Sequence, residues 1–394
     1  MKDIQSGIIQ LVYSGITGEK ADIPDNFDWQ QALRAAHAHG IEVLLYFGIF
    51  HSKIKMPEEL LLALKNRVFL LTSQDAKQGY AIRTLMEAFD AKSISYLLLK
   101  GAALKNYYPH TEMRHMLDAD ILIQIEEYDQ IKEIMEELGY TFHLESNHEY
   151  IWIKDAMQVE LHKYLIPSYN KDFFAYFGSG WDFVRKTQDG RCSMKDEDYF
   201  IYLFAHLAKH YRDSGIGIKP FVDLWVYRRA KPGLDEAYME KAMQELHLFS
   251  FYQNCMQLLQ VWFAKGEENA VTERMTLHIF SAGENGTIEN QQLSKALKAR
   301  NAMQSKKNLH TKLFFKEIFP VYSTMRKKYP ILEKVPILLP VFWLIRIASV
   351  ILFKREEIKN SAEKMHRLTK ENIDAYEEQL RFVGLDYHFG ENKR

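Results

Sequence analysis

Cysteine is scarce in this chain: only Cys192 and Cys255 occur among 394 residues. They stand in unrelated contexts, so neither a disulfide framework nor a cysteine-based zinc site can be built from them. A charge excess is also missing. Fifty-one Lys+Arg against 52 Asp+Glu leave a formal net charge of -1. That removes any global drive toward nucleic acid, although a local basic groove can hide inside a neutral total. No nucleic-acid partner is evident. The opening stretch MKDIQSGIIQLVYSG lacks a charged segment followed by a long apolar core, so no signal peptide is expected and the cytoplasm is the default compartment. Internal repeats and low-complexity tracts are absent too.

What remains is an ordinary globular composition, 47% hydrophobic and 26% charged. The length allows two or three structural units, each with its own core. Residues 1–90 carry apolar side chains at helical spacings of three and four, with Asp25 and Pro57 as helix-start signals. The character changes at Ser93. SISYLLLKG suits a buried strand ending in a tight turn at Gly101, AALKNYYP a short helix, and MLDADILIQ a second strand. EEYDQIKEIMEELGY returns to helix with Gly139 as its stop, and short strands follow around TFHL, EYIWIK and MQVELHKYL. This order predicts an α+β fold, a small mixed sheet with helices on one face. Four regions are expected: a helical 1–90, a sheet core 91–193, a helical domain 194–330, and a C-terminal helical extension 331–394.

The extension holds an apolar run, Val335 to Phe353, interrupted by Arg346 and Ser349 and carrying Pro336 and Pro340. Its length approaches the roughly 20 residues of a membrane span. A central arginine costs about 2.5–3.5 kcal/mol on insertion scales, which favours a buried or partner-facing helix, with a membrane-surface helix as the alternative.

Chemistry concentrates in the sheet core. Side chains alternate along a strand, so Asp118 and Asp120 share one face while Leu117, Ala119, Ile121 and Ile123 share the other. Two neighbouring carboxylates repel unless a cation sits between them. Hard oxygen ligands suit Mg2+, with Mn2+ as a substitute. The bland alternative is two solvated aspartates at a strand end. In MQVELHKYL, Gln158, Glu160 and His162 share a face, and Glu160 meets the pair if the two strands are neighbours; otherwise it is a surface residue on an edge strand. Three carboxylates can hold two metal ions. Upstream, Gly101 ends a strand and opens a helix, a place where backbone N–H groups approach phosphate. Lys100 and Arg114 add positive charge there.

The segment LLLKGAALKNYYPHTEMRHMLDADILI resembles the signature of an uncharacterised bacterial nucleotidyltransferase family within the DNA polymerase beta-like superfamily. The resemblance rests on Lys100, Gly101, Arg114, Asp118, Asp120, Glu160 and His162 in that order, and covers roughly 90–230 well. It implies a nucleotidyltransferase sheet, metal-dependent NMP transfer from an NTP (ATP being the expected one), and the three carboxylates as metal ligands and catalytic residues. Two Mg2+ ions are the expected cofactors. The sequence departs from the superfamily at Ala102, where a phosphate-contacting serine is usual, and in the long interval from Gly101 to Asp118.

Downstream, FAHLAKHYRD puts His206 and His210 at i and i+4 on one helical face. That spacing suits a metal or, in the bland reading, packing against a cleft. By the resemblance, His206, His210, Lys219 and Asp223 line the nucleotide or acceptor pocket together with His162. The loop around Gly283 and Gly286 is either a cover or an ordinary connection. The expected function is NMP transfer to an unidentified hydroxyl or phosphate, with pyrophosphate release. The rival is a non-catalytic nucleotide-binding or interaction protein of the same fold, and a third reading is a membrane-associated enzyme using 335–353.

Overall fold

A computed structural model describes residues 3–155, 157–187, 190–284, 286–302, 331–353 and 369–386, with 319, 322, 325, 326 and 329. Parts of the regions expected at 194–330 and 331–394 lie outside these residues.

Four helices precede the sheet: α1 (Asp3–Thr17), α2 (Trp29–His39), α3 (Glu42–Ser52) and α4 (Glu58–Ala91). Pro57 stands immediately before α4, as expected of a helix-start signal. Asp25 does not start α2. Asp28 does, its carboxylate accepting the Gln31 N–H at 2.9 Å. The periodic signal was three residues early because Asp25 and Asp28 flank the same turn and only a side chain next to the first helical residue can reach the free N–H groups.

The sheet contains β1 (Tyr96–Leu98), β2 (Asp118–Ile123), β3 (Thr141–Glu145), β4 (Glu149–Lys154) and β5 (Met157–His162) in the order β1-β2-β5-β4-β3. All neighbours pair antiparallel except β2 and β5, which run parallel. The short helix α5 (Lys100–Leu104) follows β1, and α6 (Tyr128–Glu137) follows β2. Ile131, Ile134 and Met135 form the buried stripe of α6. They meet Ile82, Leu85, Met86 and Phe89 of α4 and the inward side chains Ala119, Ile121, Ile123, Trp152, Val159 and Leu161 in one core. This apolar face fixes the register, since a one-residue slip would send every one of those side chains to the other side. The carboxylates are thereby committed to the opposite face.

Leu117 does not follow the expected alternation. It lies one residue before β2, is 52% exposed, and faces a cleft rather than the core. Beyond the sheet come α7 (Lys171–Phe177), a small hairpin of β6 (Val184–Lys186) and β7 (Cys192–Met194), and then α8 (Asp196–Asp213), α9 (Lys219–Ala230), α10 (Glu236–Glu245), α11 (Phe249–Phe263) and α12 (Ala270–Ala282). The hairpin has no counterpart in the sequence reading. Leu203, His206, Leu207 and His210 of α8 stand across the cleft from the sheet's polar face, so helices flank both faces rather than one.

The described residues fall in two compact units, one of Met1–Tyr211, Gly215–Gly286 and Val383–Arg394, the other of Arg212–Ser214 and Thr287–Phe382. In the second unit α13 (Ile288–Ala302) and α15 (Lys370–Phe382) are joined by Arg300, which pairs with Asp374 and Glu377. This unit also contains α14 (Leu339–Phe353), which covers most of the apolar run and leaves Val341, Leu344 and Ile345 exposed. Among the described residues, no helix is long and apolar enough to cross a membrane.

Candidate active site

The parallel register places Asp118 beside Gln158, Asp120 beside Glu160, and Leu122 beside His162. β5 is therefore an interior strand, not an edge, and Glu160 stands next to Asp120. Asp120 Oδ1 is the hub. It accepts from Lys100 Nζ at 2.6 Å and lies 2.7 Å from His162 Nε2. His162 Nε2 is also 3.6 Å from Glu160 Oε2, while Gln158 Nε2 donates to Glu160 Oε1 at 2.8 Å. Ligand atoms of Asp120, Glu160 and His162 all lie within 4.8 Å of one another. This oxygen-rich set with one imidazole fits a divalent cation.

Electrostatics divide the two aspartates. Burial pushes the Asp120 carboxyl up, but Lys100 and then His162 outweigh it and hold the group well below the usual carboxylate range. Asp118 goes the other way. Burial, reinforced by Asp120 and Glu160, pushes it up to about 6. A side chain that suffers from two neighbouring negative charges is one a shared cation would relieve. Burial and Lys100 press His162 down, yet its bonds to Asp120 and Glu160 prevail and leave it raised. Lys100 is likewise raised, its burial outweighed by Asp120.

At the turn expected around Gly101, the left-handed conformation falls on Lys100, whose φ is 42°. For a non-glycine residue this left-handed geometry costs roughly 1–2 kcal/mol, and it brings the ammonium to Asp120. Gly101 sits in close quarters: a Cβ there would lie 3.2 Å from Met116 Cβ and 3.4 Å from Arg114 Nη1. Ala102 is buried in the core behind the sheet, where a serine hydroxyl would face apolar side chains.

A cleft of about 430 Å³ gathers Lys100, Gly101, Arg114, Asp118, Asp120, Glu160, His162, His206, His210, Lys219 and Asp223, whereas Gly283 and Gly286 of the candidate cover loop lie outside its lining. Several are already engaged there. Arg114 Nε donates to both Asp223 oxygens, at 2.7 and 3.0 Å, and Tyr108 Oη donates to Oδ1 at 2.7 Å. Arg114 thus carries a neutralised charge rather than a free one. His206 and His210 lie 3.2 Å apart at Nε2, both held neutral chiefly by burial. Lys219 bonds the His115 carbonyl at 3.1 Å and pairs with Glu284.

The sequence reading missed His148, Glu149, Lys209 and Glu284, which line the same cleft. Glu284, between Gly283 and the loop that follows, was detectable only as an acid in a glycine-bounded loop. His148 pairs with Glu149 at 2.8 Å. The cleft's six carboxylates (118, 120, 149, 160, 223 and 284) face four Lys or Arg (100, 114, 209 and 219). An anionic ligand entering it meets net negative charge unless cations enter too.

Fold and site together define a mixed α+β protein whose sheet presents a buried acid–histidine cluster to a charged cleft. The family described as uncharacterised nucleotidyltransferase matches residues 25–264, and the chain belongs to that family. No curated protein and no solved structure matches the chain.

Proposed function

We propose that the protein is a metal-dependent nucleotidyltransferase, moving NMP from an NTP to an acceptor and releasing pyrophosphate. The observation that carries this reading is the parallel pairing that sets Asp120 beside Glu160, with Asp118 on the same cleft. Asp118, Asp120 and Glu160 would hold Mg2+, two ions in the fullest form, with Mn2+ as a substitute, and His162 orients Asp120 through its 2.7 Å contact. When bound, such ions activate an attacking oxygen and stabilise the leaving pyrophosphate.

The chain's own residues then have separable tasks. Lys100 releases Asp120 and turns its ammonium to the triphosphate, over the close-packed Gly101 turn. Arg114, fixed by Asp223, forms a rigid wall behind that turn, and Lys219 faces the same space. The acceptor oxygen bonds to the α-phosphorus as the bond from that phosphorus to the α,β-bridging oxygen breaks; pyrophosphate leaves with the bridging oxygen, and an acceptor hydroxyl gives its proton to solvent. ATP is the simplest donor to try first. Calorimetry with ATP and Mg2+, followed by a search for released pyrophosphate across an acceptor panel, tests the reading. Binding without turnover on any acceptor would favour the non-catalytic alternative.

A further inference from the structure

A second cavity of about 420 Å³ adjoins the cleft, sharing Leu117 and Glu284 with it. Its remaining polar walls come from α2 (His37), α3 (Glu42), α4 (Arg67) and His115, two residues before Leu117. Its volume falls in the range of small-molecule sites, roughly 300–1,000 Å³. We propose that this cavity is the acceptor subsite and that it takes a neutral polyhydroxylated molecule, a sugar or cyclitol. The proposal rests on the transfer reaction proposed above and supplies its missing acceptor class.

The charged groups of the cavity are already matched, Glu42 within its own walls and Glu284 by Lys219 of the adjoining cleft. Glu42 Oε1 accepts from Arg67 Nε at 3.1 Å and contacts His37 Nδ1 at 2.8 Å. Glu284 Oε1 pairs with Lys219. Each cation is matched to a carboxylate, so a phosphorylated acceptor would meet two acids with no uncommitted positive charge. What the walls still offer is hydrogen-bonding capacity: second oxygens on Glu42 and Glu284, and the guanidinium nitrogens of Arg67 beyond Nε. Carboxylate acceptors beside guanidinium donors can hydrogen-bond hydroxyl groups, which both donate and accept.

One buried group on the cavity wall lacks a partner. His115 is 8% exposed, and its Nε2 has no hydrogen-bond partner. Such a group costs roughly 1–3 kcal/mol when left unsatisfied, and a hydroxyl can donate to or accept from a neutral imidazole. Burial, with Lys219 beside it, pushes His115 down to about 4, so the ring is neutral at ordinary pH. Gly40 shapes the same wall, since a Cβ there would lie 2.7 Å from Glu284 Oε2. Leu117 contributes an exposed apolar surface, suited to the C–H face of a sugar ring, immediately before Asp118. A hydroxyl anchored here is therefore delivered next to the carboxylates.

The test uses the full-length protein and two independent titrations. Glucose, N-acetylglucosamine, myo-inositol and glucose 6-phosphate are screened by saturation-transfer NMR and calorimetry. Mg2+ with a non-hydrolysable ATP analogue is titrated separately. At least one neutral sugar or cyclitol should bind, and Arg67→Met and His115→Phe should each weaken it about tenfold, the scale of one lost hydrogen bond. Nucleotide-analogue affinity should stay within about twofold in Arg67→Met, a partly exposed site whose fold is checked by thermal melting. Binding of none of the neutral compounds, tighter binding of glucose 6-phosphate than of glucose, or unchanged sugar affinity in both variants would overturn the subsite. Sugar binding without nucleotide binding would instead contradict the transfer reaction itself.

Discussion

Asp120 and His162 share a 2.7 Å contact through Oδ1 and Nε2, and the same oxygen takes the Lys100 ammonium at 2.6 Å. The carboxylate at the centre of the cluster is thus saturated on one oxygen and available on the other. In the proposed metal site, His162 would act on a cation through this carboxylate as well as directly. His162→Ala should weaken Mn2+ or Mg2+ binding by about 10–100-fold, the usual cost of losing an orienting partner. Calorimetric titration of the metal, without nucleotide, reads this; unchanged affinity would remove His162 from the site.

Lys100 is the cation that balances Asp120 here, and in the proposed site a metal would take its place. Lys100→Met leaves the buried Asp120 carboxylate with His162 alongside it, and breaking a buried pair in this way costs about 3 kcal/mol. The variant should melt well below the wild type in chelator and recover most of the difference when Mg2+ is added, because ligand binding to the native state restores stability. Equal melting with and without Mg2+ would count against metal binding at Asp120.

A pH effect follows from His278, whose ring packs 4.7 Å from Tyr211 and is pushed down to about 4 by burial. The unfolded chain takes up its proton near the ordinary value of about 6.5, before the folded protein does. Stability is therefore complete above about 6.5 and is lost as pH falls toward 4, by about 3 kcal/mol if this group acts alone. Urea denaturation at pH 7 and pH 5 should show the loss, and His278→Phe should reduce it. An identical slope in the variant would assign the acid sensitivity elsewhere.

The core behind the site gives a simpler expectation. Trp152 is fully buried among the β-strand and helix side chains of the sheet core. Trp152→Ala should cost about 3–5 kcal/mol and abolish metal binding only through unfolding. A folded variant with normal melting would mean that the core is not packed around this residue.

How much of this could be read from the chain depends on how local each feature is. The Asp118–Asp120 face was legible because alternation along one strand needs no partner. The adjacency of Glu160 was legible only as a condition, since parallel pairing of β2 with β5 is set by a crossover through α6, β3 and β4. Arg114 illustrates what local reading loses. Its positive charge is plain in the sequence, but the carboxylate that neutralises it, Asp223, comes 109 residues later. Leu117 counted as core by periodicity, yet β2 starts one residue after it and the pleat does not extend that far. Glu284 offers only an acid in a glycine-bounded loop; the fold alone brings it to Lys219.

The most direct test of the account is Mg2+-dependent pyrophosphate release from ATP by the full-length protein. It is measured with the acceptor panel for the wild type and for Asp118→Asn, Asp120→Asn and Glu160→Gln. The metal-held transition state is worth several kcal/mol, so each substitution should lower the rate about 10³-fold or more, and chelator should abolish it in the wild type. Full wild-type rates in the Asp120→Asn and Glu160→Gln proteins would contradict the account.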